Sequence, residues 1–424
     1  SNQLVVDESS RYDPFPLTDI QQSYWIGRLA AFNAAGASSH WYREVSMVGL
    51  DPDRFELALN RVVQWQDMLR ACIDAQGTQR ILEKVPHYKV VRHDLRQTPT
   101  EERERELAAL RSRLAHQVVD ITSFPCFDVQ VTLLPNNESR IHLSFDLTFV
   151  DAGSIPRVFG GINAVYSTDA VLPPMELSFR DYIVAVNRLK ATSQYEVHKA
   201  YWEERKDTFP FGPVLPTRCR LSEVTDPTFC RLESMLEKST YDSLRALCSE
   251  WKLTPSTLFL SLFADVLRIW SANEHFAINV TVFNRLPLHE KIGAVVGDFT
   301  ATSPLEIRLT AGSNDDDDDT FLSRAVEIRD QLWRDLDNDL FSGTEFTRSL
   351  LATSRVKAKA TALFPVVFTS TLGVVDAGAW GLQLSGCSQK NVLVEISQTP
   401  TVSLDFQCSN NGDTVDLVWD YVGA

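Results

Sequence analysis

From Ile141 to Phe149 the chain alternates without a break. Ile141, Leu143, Phe145, Leu147 and Phe149 are apolar, and His142, Ser144, Asp146 and Thr148 between them are polar. A period of two is the mark of a β-strand with unlike faces. The alternation then meets Asp151-Ala152-Gly153-Ser154, where a glycine turn ends it. Asp146 and Asp151 stand five residues apart around this corner. Such a pair suits catalytic carboxylates, a metal site or a structural corner that holds a buried arginine. Two aspartates with no other ligand nearby make a poor metal site.

Similar alternation marks strands at about 127 to 134, Phe276 to Phe283, 364 to 371, 401 to 408 and 414 to 421. Helical periodicity falls between them. Helices are predicted at about 17 to 30, over Leu50 to Gln66, and at 178 to 205 after the break at Leu172-Pro173-Pro174. Thr98-Pro99-Thr100-Glu101 reads as a capping box with Thr98 as N-cap, ahead of a stripe of Leu107, Leu110, Leu114 and Val118. Thr254-Pro255 starts a helix expected to bury Leu258, Leu262, Val266 and Ile269. Phe209 to Pro216 reads as a loop, and the acidic run Asn314 to Asp319 as a solvated insertion. At 424 residues the chain exceeds one ordinary core. Mixed helices and sheets predict an α/β fold of two sandwich lobes, cut at 1–177 and 178–424.

Charge excludes some function classes. With 41 basic and 56 acidic side chains the net charge is −15, and no basic stripe stands out, so no nucleic-acid partner is expected. The seven cysteines form no CxxC and read as reduced core residues of a cytoplasmic protein. No stretch reaches the length of a membrane span and no signal segment opens the sequence, so no membrane association is expected. The eight histidines show no paired spacing, and GxSxG, P-loop and dinucleotide motifs are missing. No metal and no cofactor bound by the domain itself is expected.

Phe15-Pro16-Leu17-Thr18-Asp19-Ile20-Gln21-Gln22-Ser23-Tyr24-Trp25-Ile26-Gly27-Arg28 resembles the opening motif of heterocyclization domains of nonribosomal peptide synthetases. The resemblance continues at Met68-Leu69-Arg70-Ala71, at Asp146, Asp151 and Ser154, at Leu172-Pro173-Pro174, at Tyr201-Trp202, and from Thr254-Pro255 to Trp270-Ser271. Phe283 to His289, Val296 to Thr300, Pro365 to Ser370, Ile396 to Pro400, and Leu404-Asp405 with Gln407 complete it. The motifs are collinear and span nearly the whole chain. The resemblance implies two chloramphenicol-acetyltransferase-like lobes in a V-shaped pseudo-dimer with a central tunnel. Upstream donor and downstream acceptor peptidyl carrier proteins would bring substrates on phosphopantetheine arms, and an adenylation domain would lie adjacent.

Ordinary condensation domains carry HHxxxDG at the aspartate corner. Here Asp146 stands at the first His, Leu147 at the second, Asp151 at the Asp and Ala152 at the Gly. Leucine can neither accept nor donate a proton. The resemblance assigns the chemistry instead to Asp405, with Thr369 in FTST as its hydroxyl partner. Ser403, Asp405 and Gln407 share one face of the predicted strand, opposite Val402, Leu404 and Phe406. The strand could also simply be half-exposed, with Asp405 a surface residue.

Asp146 and Asp151 are structural or tunnel-lining candidates, with Arg70 and then Arg285 as the expected partner of Asp151. Ser154, Asn284, Arg285, Gln398 and Gln407 are supporting candidates, with Gln398 near the Asp405 pocket. The function implied is condensation of a carrier-bound thioester with carrier-bound Cys, Ser or Thr, followed by cyclodehydration to a thiazoline or oxazoline. A domain that stops at the amide, or a silent docking platform, is the alternative.

Overall fold

The alternating segment falls in part in the strand Glu138–Asp146, at the centre of a five-stranded sheet, and its last three residues, Leu147 to Phe149, form a turn. The computed structural model describes residues 4–28, 38–219, 223–224, 228–308, 320–353, 362–373, 381–399, 401–412 and 414–423. The acidic run at 314–319, and the end of the first predicted helix beyond Arg28, lie outside them. In spatial order the sheet is Ser388–Gln398, His40–Val48, Glu138–Asp146, Phe127–Leu133 and Val91–Asp94. Only the last pair is parallel. A strand with neighbours on both sides and cover on both faces must also satisfy its polar alternates. His142 lies 2.9 Å from the Tyr42 hydroxyl and 3.1 Å from that of Thr132, and Gln117 donates to Ser144 at 2.9 Å.

Helix Pro52–Trp65 starts where Asp51 accepts from the amides of Asp53 and Arg54, with Pro52 in the first turn. Its Phe55, Leu59, Val62 and Val63 share one core with Val158, Phe159 and Ile162 of helix Ile155–Thr168 and with Val129 and Phe145 of the sheet.

The chain divides into two compact units. The first holds Ser1–Val186, Arg285–Phe299 and Ala379–Pro400; the second holds Asn187–Asn284, Thr300–Gly378 and Thr401–Ala424. A single cut after 177 does not describe this division. Ser388–Gln398 returns to pair along His40–Val48, and the amide of Phe299 binds Asp151, so two late segments belong to the first unit. The boundary falls inside helix Phe179–Lys190. The helix predicted over 178–205 is two helices, Phe179–Lys190 and Ser193–Glu203, separated by a turn at Ala191 and Thr192.

The second unit is built on a six-stranded sheet in the order Thr300–Arg308, His275–Phe283, Val366–Ser370, Leu404–Asn411, Thr414–Gly423, Thr228–Leu236. Val366–Ser370 is parallel to both of its neighbours, and the other pairs are antiparallel. Phe263, Phe276, Val280, Phe368 and Phe406 form its main core, and Trp419 stacks on Phe406 with centroids 4.4 Å apart. A second cluster gathers Trp202, Phe209, Ala277, Phe346 and Leu363.

Two helices depart from expectation. In helix Pro255–Trp270 Leu258 is buried, but Leu262, Val266 and Ile269 are 41%, 44% and 76% exposed. This helix is apolar on more than one flank, so periodicity offers two stripes; the one carrying Phe259, Phe263, Ala264 and Leu267 packs inward. Helix Thr100–Ala115 begins one residue later than the Thr98 cap implies, with Pro99 at the cap position and no side-chain cap. The Thr98 amide is engaged in a turn to the Leu95 carbonyl, and Val118 lies exposed beyond the helix end, while Leu107, Leu110 and Leu114 are buried. Among the described residues no single helix is long and apolar enough to cross a membrane.

Gly297 permits a close approach, since a Cβ there would lie 2.3 Å from the Phe179 ring. We expect Gly297→Ala to destabilise the protein by about 1–3 kcal/mol through overpacking. Gly160 sits exposed in helix Ile155–Thr168 with open space around it, so Gly160→Ala should stabilise by about 0.5–1 kcal/mol. Urea unfolding of the two variants against the parent checks both signs.

Candidate active site

Strand Leu404–Asn411 lies between Val366–Ser370 and Thr414–Gly423. Its alternation sends Phe406 and Cys408 into the core and leaves Asp405 and Gln407 half-buried on the opposite face. Register fixes the neighbours: Thr369 lies beside Gln407, Asp420 lies across from Asp405, and Arg231 lies across from Asp420. The Thr369 hydroxyl donates to Asp405 Oδ1 at 3.0 Å and lies 3.0 Å from the Thr281 hydroxyl. Gln407 Nε2 donates to Asp405 Oδ2 and to Asp420 Oδ2, each at 2.8 Å. Arg231 grips Asp420 with Nε at 2.7 Å and a terminal nitrogen at 2.6 Å.

Burial raises the Asp405 pKa, and the nearby Asp420 carboxylate adds to the effect. Hydrogen bonds from Thr369 and Gln407, and the charge of Arg231, oppose the rise but do not cancel it. The result is a carboxyl group that titrates at about 7. Such a group gives and takes protons with nearly equal ease at neutral pH.

The aspartate corner lies in the first unit and is built differently. Asp146 forms an ion pair with Arg28 and accepts from the Thr148 amide at 3.0 Å. Both side chains are at least nine-tenths buried, and burial lowers the Arg28 pKa to about 10. Asp151 accepts from the Phe299 amide at 3.0 Å. Ser154 donates to the Gly297 carbonyl at 2.9 Å and accepts from the Gly297 amide at 3.2 Å and from Arg285 at 3.3 Å, which uses its full capacity. Arg285 donates to the carbonyls of Ile292 at 2.8 Å and Val295 at 2.7 Å, and its guanidinium carbon lies 3.7 Å from the Phe299 ring centroid. Burial raises the Asp151 pKa and lowers that of Arg285 to about 10, while each one's charge works against the other's shift.

The remaining predicted residues divide as follows. Arg70 is not the partner of Asp151. It binds Asp67 at 2.7 Å and donates to the Val63 carbonyl at 3.1 Å, both within its own stretch of chain. Arg285 is a cation whose field reaches Asp151, as that of Arg157 also does, while the hydrogen bonds of Arg285 go to backbone carbonyls and Ser154. Asn284 donates to Asp339 at 2.9 Å in the second unit. Gln398 belongs to the first unit, where it pairs in register with His40 and donates to the Ala115 carbonyl; Asp405 belongs to the second.

Arg28, Asp420, Arg231 and Thr281 were not singled out from the sequence. A signal for Asp420 was present. Asn411-Gly412 marks a tight hairpin, with Gly412 at φ +63°, and doubling back from the Asn411–Thr414 pair sets 420 opposite 405. No comparable local signal links Arg28 to Asp146 or Arg231 to Asp420.

Comparison with known proteins shows the family. The profile of the condensation domain family matches residues 12–369. The chain is 31% identical over 408 residues to pyochelin synthetase PchF of Pseudomonas aeruginosa, covering 96% of this chain and 22% of that protein. It is 31% identical over 418 residues to phenyloxazoline synthase MbtB of Mycolicibacterium paratuberculosis, covering 98% of this chain and 34% of that protein. It therefore spans about a fifth to a third of the length of these relatives. Among solved structures it resembles the EpoB cyclization-docking bidomain from Sorangium cellulosum, with TM-score 0.89 and 34% identity over 99% of this chain and 82% of that one.

Two outcomes follow from these environments. Asp146→Ala would leave the Arg28 charge buried without its partner, and we expect a loss of about 3–5 kcal/mol in urea unfolding, partly recovered by adding Arg28→Met. A single-variant loss below about 1 kcal/mol would show that the pair carries little buried charge. Asp405 has a pKa raised on folding, so its contribution is fully present below the unfolded value of about 4 and fades as pH climbs to about 7. The stability of the parent relative to Asp405→Asn should therefore fall across that window and stay level above it. A flat difference in unfolding measured against pH would contradict the raised pKa.

Proposed function

Because the chain belongs to the condensation domain family and resembles a cyclization domain, we propose that it forms a heterocycle as well as an amide. In this reading it joins a carrier-bound acyl or peptidyl thioester to a carrier-bound Cys, Ser or Thr. It then closes and dehydrates the product to a thiazoline or oxazoline. The observation that carries the proposal is the Asp405 carboxyl, titrating at about 7 and bonded to Thr369 at 3.0 Å. The names of the relatives support a ring-forming reaction, since they include a phenyloxazoline synthase and a cyclization domain.

First the acceptor amine attacks the donor thioester carbon, and the donor pantetheine thiol leaves. An α-amino group has a pKa of about 7.7–8.0, so an ample fraction is already neutral. Positioning supplies the rest, and Leu147 in place of an imidazole is tolerated. Next the acceptor thiol or hydroxyl adds to the new amide carbonyl and gives a ring carbon that bears a hydroxyl beside an N–H. Neutral Asp405 then protonates that hydroxyl, and water departs. The resulting carboxylate takes the nitrogen proton as the C=N bond forms, which restores neutral Asp405. The Thr369 hydroxyl, free to turn between Asp405 and Thr281, holds the carboxyl in place and can pass its proton. Substrates arrive on phosphopantetheine arms of upstream and downstream carrier proteins, with an adenylation domain loading the acceptor.

A donor aminoacyl carrier and a cysteinyl carrier are mixed with the domain, and the products are weighed by mass spectrometry. The parent should give the linear product minus one water. Asp405→Asn should accumulate the linear peptide, with ring formation reduced by about 10²–10⁴-fold. Normal ring formation by that variant would remove Asp405 from the chemistry. Linear peptide from the parent would mark an amide-only domain, and the absence of any product a docking platform.

A further inference from the structure

Asp405 and Asp420 stand directly opposite each other on adjacent antiparallel strands. Side chains in such positions lie about 5 Å apart, and like charges placed so are unfavourable. On a half-buried face one of the two must carry a proton or a counterion. The counterion is Arg231, and it binds Asp420 with two nitrogens. A carboxylate held in this bidentate fashion carries its charge. The proton is left to Asp405. The Gln407 amide ties the two, because both of its N–H groups end on carboxylate oxygens at 2.8 Å.

We propose that Asp420, gripped by Arg231 and tied to Asp405 through the Gln407 amide, is a positioning residue that keeps Asp405 in its proton-bearing form for the dehydration step. The inference rests on the ring-forming reading above. The Gln407 amide can only donate to Oδ2 of Asp405, whereas the Thr369 hydroxyl beside Oδ1 can turn to accept from it and donate to Thr281, so the transferable proton belongs on Oδ1. Environments that push two carboxylates apart are the general means of separating an acid from its neighbour.

Other titratable groups near the pair among the described residues are engaged elsewhere or lie on other faces. Glu233 lies 3.8 Å from Arg231, on the far side of the pair from Asp405. Toward Asp405 the neighbouring strands present Val367, Thr369, Asn279 and Thr281, which carry no charge. Glu306 on the edge strand is engaged with Arg205 and His275. The Cys408 thiol on the opposite face is pushed up to about 12 by burial. The raised pKa of Asp405, with Asp420 among its causes, agrees with this arrangement.

The test is single-turnover ring closure of a preformed linear peptidyl–carrier intermediate from about pH 5 to about pH 9, with amide formation measured in parallel. In Asp420→Asn the Arg231 charge loses its bidentate partner and faces Asp405, so the alkaline limb, where ring closure is lost as Asp405 gives up its proton, should move down by about one pH unit or more. In Asp420→Asn with Arg231→Gln, which removes the pair as a neutral unit, it should move down less. Amide formation should stay within about two-fold in both. Infrared titration of ¹³C-labelled carboxyls, with Asp405→Asn assigning the signal, should give the same order without any turnover. If Asp420→Asn fails to fold, the neutral double variant carries the test, and its limb must still fall. An unmoved limb, or a uniform loss of rate at every pH, overturns the inference. If Asp405→Asn closes the ring normally, the ring-forming reading of Asp405 fails; if it does not close the ring while Asp420→Asn keeps the parent's pH profile, only the role of Asp420 fails.

Discussion

The pairing of Leu404–Asn411 with Thr414–Gly423 is the constraint on which the second unit's candidate site depends. A slip of one residue would turn Asp405 toward Phe263 and Phe368 and bring Phe406 out to the polar face. Two features hold the register. At one end the hairpin closes on Gly412 in a left-handed conformation that a side chain would resist. Along its length Phe406 stacks on Trp419, with Phe263 at 5.1 and 5.5 Å from the two rings. Aromatic packing on one face thus aligns carboxylates on the other.

The first unit uses carboxylates for a different purpose. Asp151 and Ser154 spend their hydrogen bonds on the backbone of 297–299, and Arg285 spends most of its own on the carbonyls of 292–295. These contacts fasten a late segment of chain to the end of an early strand. Gly297 lets the segment lie against Phe179, and Phe299 packs edge-on to that ring at 5.1 Å. Asp146 is held by its ion pair with Arg28 and Arg285 by backbone carbonyls, and a buried charge is costly to leave alone. Loss of activity on changing Asp146 or Asp151 therefore has a mechanical explanation that requires no proton transfer.

What the sequence revealed follows the range of the interactions involved. Strands and helices set by local period, such as Phe127–Leu133, Pro52–Trp65 and His275–Phe283, stand close to where alternation and capping put them. Burial was misread in Pro255–Trp270, because a helix with two apolar flanks does not announce which one meets the sheet. Thr369, Asp405 and Gln407 came together as the motifs implied. The pairing of Asp151 with Arg70 failed because Asp67, three residues from Arg70, claims that guanidinium first. Arg28 with Asp146, and Arg231 with Asp420, join residues more than a hundred positions apart, where no period in the sequence reaches. Strand exchange escaped a linear cut for the same reason.

A chain with leucine at 147 and a tuned carboxyl at 405 makes sense if the two chemical steps place unlike demands on it. Attack of a neutral amine on a thioester has a good nucleophile and a good leaving group, so holding them together does most of the work. Loss of water from a saturated ring carbon has a poor leaving group and a proton to shed from nitrogen. One side chain can serve both ends of that step only if its acid and base forms are close in energy near neutral pH. Ordinary aspartate, with a pKa of about 3.9, is a good anion and a scarce acid there. Burial beside a second carboxylate that keeps its own counterion supplies the shift, and Thr369 and Gln407 stop it from going further. The hydrogen bonds from Thr369 and Gln407 that position Asp405 also help to set its acidity, together with the Asp420 and Arg231 charges beside it, which is why that acidity cannot be separated from the register of the strands that carry these groups.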